Sequence, residues 1–287
     1  MKQPSIDTGN IAIVGAGRAG SSLALALTAA GYPVTLLIDT QAARARRWAA
    51  VCGCRSGASV RQLDASIGLL FLAVPDDAIA PLARRIAGQG AVGPKTSSVH
   101  LSGLHPAALL NPLGGSRASF HPCIPLLEGQ AEAFRGAAVA LEGDAAVLPL
   151  LKAVAVDLGA RPVILSPEQK ILYHAACTAA SNFINVTLFA AARLLQASGS
   201  HEGLSLLMPL VRKTIDNIEM NGPVQSLTGP ALRGDSSTVR AHLEAISAHV
   251  PAIKDLYTVL SLSAAEIALE AGADPAGIEK VRNVLRR

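Results

Sequence analysis

Two patterns of apolar and polar positions divide this chain. Through residue 165, short, largely apolar runs at 11–14, 34–38 and 67–74 alternate with stretches in which apolar residues recur every three to four positions. Runs of this length suit strands buried on both faces, and the intervening period suits helices packed over them, which together predict a parallel α/β sheet. After residue 165 the short runs cease and helical periodicity takes over, with helices expected from 167 towards 195, at 203–220, 236–248 and 251–271, and a short one at the end. The predicted organisation is an α/β Rossmann-type domain over 1–166 followed by an all-α helical domain over 167–287.

The first strand runs into Gly15-Ala16-Gly17-Arg18-Ala19-Gly20, and a helix pattern follows, closed by Gly31, before the second strand. G-x-G-x-x-G between a strand and a helix is a dinucleotide-binding turn. Gly15 permits the tight bend, Gly17 lets the backbone approach a pyrophosphate, Gly20 lets helix and strand pack closely, and the helix N-terminus faces the phosphates. Asp39 ends the second strand 19 residues after Gly20. An acid there holds the ribose hydroxyls of NAD, whereas Thr40 and Arg44, followed by Arg46 and Arg47, suit the extra phosphate of NADP. NADP is the expected cofactor, with NAD possible. Ala73, Val74 and Pro75, at the end of the next strand, are expected to line the same site, and Asp76 and Asp77 read as helix-capping residues.

Further on, KTSSVHLSGL and SFHPCIPL place Ser102, Gly103 and His121 at strand edges, and GAAVALEG, a helix near 145–158 and RPVIL read as the last strand–helix–strand of an extended sheet. The second half then opens on Ser166-Pro167-Glu168-Gln169, a capping-box start. Its first helix is inverted: mostly apolar, with one narrow polar stripe. At about 100° per residue, Lys170, His174, Cys177, Ser181 and Asn185 fall within about 80° of one another, and Asn182 lies on the edge. Burying such groups is costly without partners, and a ligand is one partner. A core histidine, hydroxyls bonded to their own backbone and a lysine reaching water are the plain alternative. Arg233, in the loop SLTGPALRGDSSTVRAHL, suits either a carboxylate clamp or a pair with Asp235, which itself suits an N-cap.

Composition narrows the classes. Half of the residues are apolar but only 3% are aromatic, and the net charge is +4 with no Lys/Arg block interleaved with aromatics. Nucleic acid is therefore not the expected partner; a small anionic ligand is. The four cysteines lack metal-site spacing, so no metal is expected, and reduced thiols in a cytoplasmic protein are. The first ten residues hold no apolar signal core, and no uninterrupted apolar run reaches the roughly 20 residues of a membrane helix.

The motifs GAGRAG, AVPDDAI, VHLSG, FHP, KILYHAACTAASN and TGPALRGDSSTVRAHL together resemble the predicted oxidoreductases that join a Rossmann-like domain to a C-terminal domain of unknown function, number 2520. That family is similar in fold to pyrroline-carboxylate reductases, ketopantoate reductases and 3-hydroxyacid dehydrogenases. The resemblance implies NAD(P)-dependent chemistry and a homodimer through the helical domain. Ser102-Gly103 resembles the serine-glycine substrate loop of the hydroxyacid dehydrogenases, with Leu104 in place of a second glycine. Lys170 resembles their helix lysine, with His174 where they carry asparagine. The expected reaction is reduction of a small carboxylate-bearing carbonyl, a 2-oxo acid of the ketopantoate type, with Lys170, His174 and Asn182 catalytic and Ser102, Gly103, His121, Ser181 and Arg233 on the substrate. A cyclic-imine reductase and a non-catalytic NAD(P)-binding sensor are the alternatives.

Overall fold

The computed structural model describes residues 4–90 and 92–286. Its contacts divide into two units, Met1–Ser181 and Asn182–Arg287, and the division falls inside one helix. The expected boundary at 166/167 coincides instead with the step from the last strand to that helix.

The first unit is built on an eight-stranded sheet. Its strands are β1 (Asn10–Val14), β2 (Val34–Ile38), β3 (Arg55–Gly57), β4 (Ile67–Leu72), β5 (Ser97–His100), β6 (Arg117–Pro122), β7 (Ala138–Gly143) and β8 (Arg161–Ile164), in the order β3-β2-β1-β4-β5-β6-β7-β8. All neighbours pair in parallel except β6 with β7. The strand order reverses between β1 and β4, the switch point outside which ligands bind in open α/β sheets. The largely apolar runs follow from burial on both faces. Ile11 and Ile13 of β1, with Leu69 and Phe71 of β4, enter one core with helix α1 (Arg18–Ala29). Ala12 and Val14, with Leu70 and Leu72, enter the other, where Ile79, Leu82 and Ile86 of α3 (Asp76–Ala87) close over them. Between α1 and α3 lies α2 (Ala42–Cys52), and α4 (Leu148–Asp157) joins β7 to β8.

After β8 comes α5 (Gln169–Ala197). Its expected capping box is half formed. Gln169 Oε1 accepts from the Ser166 N–H at 2.8 Å, but the Ser166 hydroxyl donates to Glu168 at 2.6 Å and so does not serve the helix end. Averaged over its most apolar window α5 has a mean hydropathy of 1.3, long and apolar enough to cross a membrane by length and composition, which counting uninterrupted runs did not bring out. Its first turn, however, is fixed in the sheet unit by buried Lys170.

The second unit continues with α6 (Met208–Gln225), α7 (Ser236–His249), α8 (Lys254–Glu270) and α9 (Pro275–Leu285). α6 bends at Gly222, whose φ of 77° only glycine adopts readily, just before Pro223. Asp235 caps α7 as expected, accepting the Thr238 N–H at 3.0 Å. Small aliphatic clusters hold this unit: Ala190 with Ile246, Val250 and Ile253; Val239 with Val281, Val284 and Leu285; and Ala265 with Ala268 and Ile278.

Candidate active site

At the β1–β4 switch point a cleft of about 740 Å³ opens, within the range of small-molecule sites. Gly15, Gly17, Arg18, Asp39, Thr40, Arg44, Ala73, Val74 and Pro75 line it, all expected from the sequence. Ala16, Ala19 and Gly20 stand behind that surface. The glycines divide the labour physically. A Cβ on Gly15, at φ +103°, would collide with the Ala73 carbonyl oxygen, and one on Gly20 with the Gly15 carbonyl oxygen. One on Gly17 would meet nothing within 4 Å, so the open side of the turn is there. Gly17 caps α1 with no side-chain bond to the helix end, which leaves the first-turn N–H groups for an anion. The turn, the bare helix end and the cleft fit a dinucleotide.

Asp39 is turned inward. Its two oxygens accept the Ala16 N–H and the Gln41 N–H, each at 2.8 Å, and the group is buried. The carboxylate thus braces the glycine turn with both oxygens. Arg44 lies 3.7 Å from Asp39 and 3.6 Å from Glu128. Arg18, Arg44 and Arg85 make the cleft wall basic; Arg85, on α3, carried no local motif and was not expected there.

Just beyond Pro75 the chain ends of β4, β5 and β6 gather a polar cluster. The Asp76 carboxylate accepts from the Ser102 hydroxyl at 2.9 Å, so it fastens the loop after β5 and does not act as the cap expected of it. Ser102 Oγ also accepts the N–H groups of Leu104 and His105, at 3.2 and 3.1 Å. That hydroxyl is fully used in shaping its own loop. The Ser102 N–H donates to His100 Nδ1 at 3.1 Å, while His100 Nε2 faces the Pro106 carbonyl at the same distance. Since a carbonyl only accepts, His100 carries its proton on Nε2, and burial pulls it down to about 4, neutral at pH 7.

Lys170 is only 1% exposed. Its ammonium donates to Ser119 Oγ at 2.6 Å and to the Ser102 carbonyl at 3.2 Å, and stands 3.9 Å from Glu142. Two hydrogen bonds and one nearby carboxylate, on three elements, thus surround it. Burial lowers its pKa to about 8, against the opposing pull of the Glu142 and Asp76 charges. Glu142, buried on β7, also accepts the Ala107 N–H at 2.7 Å. The polar stripe of α5 therefore has partners, and at Lys170 they are protein.

The groups that converge on Gly103 are His121 and His174. A Cβ on Gly103 would lie 2.8 Å from His121 Nε2 and 2.8 Å from His174 Cδ2. The two rings meet edge to face, 6.0 Å between centroids. His121 Nδ1 is 2.8 Å from the Tyr173 hydroxyl, and burial, aided by the charges of His174 and Lys170, pulls His121 down to about 4. Burial keeps the Tyr173 phenol far above its usual range. Cys123, just after β6, and Cys177, one turn beyond Tyr173, bring their sulfurs to 3.4 Å. Among the described residues, no group of three metal-binding side chains has the geometry to hold an ion.

The structure thus brings Gly103, His121 and His174 together, with Lys170 and Ser102 immediately behind them. Ser181 follows on α5 in the same unit, while Asn182 and Arg233 belong to the helical unit. Sequence reasoning missed Ser119 and Glu142, single polar residues in apolar strands whose signal was their cost of burial. Tyr173 was seen only as a flank of the stripe.

Fold and cleft define the class as a dinucleotide-binding protein of the Rossmann type with a helical second unit. The Rossmann-like domain model matches residues 1–126, and that of the domain of unknown function DUF2520 matches residues 137–264. The two models thus match the chain one after the other, the Rossmann-like model first. The second model begins at the last strands of the sheet, ahead of α5. No curated protein matches the chain. Among solved structures it is similar to a candidate NADP oxidoreductase, BF3122, from Bacteroides fragilis, at 24% identity over 90% of this chain and 98% of that one, with a TM-score of 0.81. It is similar to protein TM1727 from Thermotoga maritima at 26% identity over 90% and 99%, with a TM-score of 0.74. The reductive aminase from Aspergillus terreus, solved with NADPH and ethyl levulinate, shares the fold at 15% identity over 98% and 93%, with a TM-score of 0.59.

Proposed function

We propose that this protein is an NADP-dependent reductase of a small carbonyl substrate bearing a carboxylate, of the 2-oxo acid class. The observation that carries the reading is the placement of Gly103 between the His121 and His174 imidazoles, at the carboxyl ends of β5 and β6, one loop away from Pro75 of the dinucleotide cleft. The Gly15–Gly20 turn and the first-turn amides of α1 would hold the cofactor, whose chemistry there would be hydride transfer. The protein's own residues handle the charge that develops on the substrate oxygen. With the Tyr173 hydroxyl donating to Nδ1, neutral His121 carries its proton on Nε2 and aims it past Gly103. A neutral imidazole so fixed is a hydrogen-bond donor that needs no reorganisation during the reaction. Lys170, expected to deliver the proton itself, is better suited to holding the Ser102 carbonyl and keeping positive potential behind the site. His174 closes the other side of Gly103.

A cyclic imine is the second reading, supported by the fold shared with the reductive aminase from Aspergillus terreus. A panel of 2-oxo acids and cyclic imines, followed by oxidation of NADPH at the nicotinamide absorbance, separates the two. His121→Gln should lower kcat about 100-fold on the true substrate with cofactor affinity unchanged. No oxidation with any member of the panel would leave a non-catalytic NADP-binding sensor.

We also propose a homodimer through α5 and α6. Leu172 is 78% and Met220 66% exposed, and Phe183, Phe189 and Leu210 are exposed too, more apolar surface than a monomer usually leaves bare.

A further inference from the structure

The sulfurs of Cys123 and Cys177 lie 3.4 Å apart, and both residues are half-buried and unbridged. Their positions differ in kind. Cys123 follows Pro122 at the end of β6, and Cys177 sits on α5, so the pair joins the sheet to the helix that carries Tyr173 and His174. Tyr173 is within hydrogen-bonding reach of both thiols and bonds His121 Nδ1 on its other side. We propose that Cys123 and Cys177 are a reversible dithiol–disulfide pair, and that closing it silences the His121–Tyr173–His174 site. The second half of this proposal rests on the function proposed above; the first does not.

Closure requires the sulfurs to approach by a little over 1 Å, within the reach of side-chain rotation at the end of a loop. The oxidant class is a hydroperoxide, small enough to reach half-buried sulfur. Cys123 attacks the O–O bond as thiolate, becomes a sulfenic acid and releases an alcohol or water. Cys177 then attacks that sulfur, giving up its proton, and water leaves. Two thiols and one hydroperoxide thus yield one disulfide, one alcohol (or water) and one water. Burial holds the Cys177 thiol above its usual range, which leaves the first attack to Cys123. The disulfide removes both S–H groups from the Tyr173 hydroxyl and pins the third turn of α5 to the chain just after β6. The geometry that sets the His121 tautomer is then lost.

The test is direct because trypsin isolates the two thiols. Residues 118–135 contain only Cys123, residues 171–193 contain only Cys177, and Cys52 and Cys54 stay together in residues 48–55. The intact protein is treated with hydrogen peroxide, alkylated, digested without reductant and mapped by mass spectrometry. The expected result is a linked pair 118–135 with 171–193, cleaved by dithiothreitol and missing from both Cys177→Ser and Cys123→Ser. NADPH-dependent turnover of the peroxide-treated wild type should fall at least tenfold and return with dithiothreitol, while Cys177→Ser turnover should not respond to peroxide. Both thiols alkylated and unlinked after peroxide would overturn the pair. A linked pair with full turnover would overturn the silencing. If no substrate turns over even in the reduced protein, the functional reading fails while the peptide map still decides the pair.

Discussion

The Lys170 ammonium donates to the Ser119 hydroxyl at 2.6 Å, and Glu142 stands 3.9 Å from the same nitrogen, all three side chains buried. Removing one member of such a pair leaves the other as an uncompensated charge. Lys170→Met should therefore destabilise the protein by about 3 kcal/mol in urea unfolding. Adding Glu142→Gln should recover a large part of that loss, because the amide oxygen still accepts the Ala107 N–H without a buried charge. Equal losses in the single and double variants would mean that Lys170 answers to Ser119 and Ser102 alone.

Cofactor choice turns on Asp39, whose two oxygens are already held by the Ala16 and Gln41 N–H groups. A carboxylate so engaged is a poor partner for ribose hydroxyls, and Arg44 and Thr40 line the cleft beside it. NADP should bind more tightly than NAD in calorimetric titration. Arg44→Ala should weaken NADP about tenfold and leave NAD nearly unchanged, since a guanidinium–phosphate contact is charge-assisted. Tighter NAD binding by the wild type would show Asp39 governing the ribose.

Gly15 and Gly17 should respond in opposite ways to alanine. At Gly15, φ +103° and the Ala73 carbonyl oppose any side chain, so Gly15→Ala should cost about 2 kcal/mol or more of stability. At Gly17 the added methyl meets only the open cleft. Gly17→Ala should keep stability within about 1 kcal/mol while weakening the dinucleotide at least about tenfold. Thermal melts and cofactor titrations on the two variants check this; unchanged binding in Gly17→Ala would move the pyrophosphate elsewhere.

Acid should unfold the protein through two histidines. Burial lowers His100 and His121 from 6.5 to about 4 in the folded state. Between these values the unfolded chain binds more protons, so stability is complete above pH 6.5 and falls as pH drops towards 4, by up to about 3 kcal/mol for each histidine. His121→Gln should flatten the pH dependence of the unfolding free energy in this window by roughly half. A profile as steep as the wild type's would mean that His121 is charged in the fold.

Light scattering at micromolar concentration should give twice the 29.4 kDa of one chain. Leu172→Glu together with Met220→Glu, on exposed apolar positions of α5 and α6, should return it to one chain. A monomeric wild type would leave those faces for another partner.

The local chemistry of the first half was legible because it is short in range. Largely apolar runs, G-x-G-x-x-G and the acid 19 residues on are each fixed by a strand buried on both faces, a bend or a strand length, so sheet, turn and cleft could be read from neighbouring residues. One helix end announced itself likewise, at Asp235 of α7, whereas the hydroxyl of Ser166 and the carboxylate of Asp76 turned to other partners. The stripe on α5 was also legible as a stripe, since it follows from helical spacing alone.

What answered each polar side chain was not legible, because a partner's identity depends on packing between distant elements. Lys170 meets Ser119 and Glu142, 51 and 28 residues back in sequence, across a helix–sheet contact that no local rule encodes. Asp39 had the position of a ribose ligand, and only the folded turn gave both its oxygens to backbone N–H groups. His121 and His174 came to face each other over Gly103 because the first turns of α5 pack beside the end of β6 and the loop after β5. Sequence alone singled out candidates such as Lys170, His174, His121 and Ser102; burial and hydrogen-bond competition in the tertiary structure decided which of them are held by the protein's own groups.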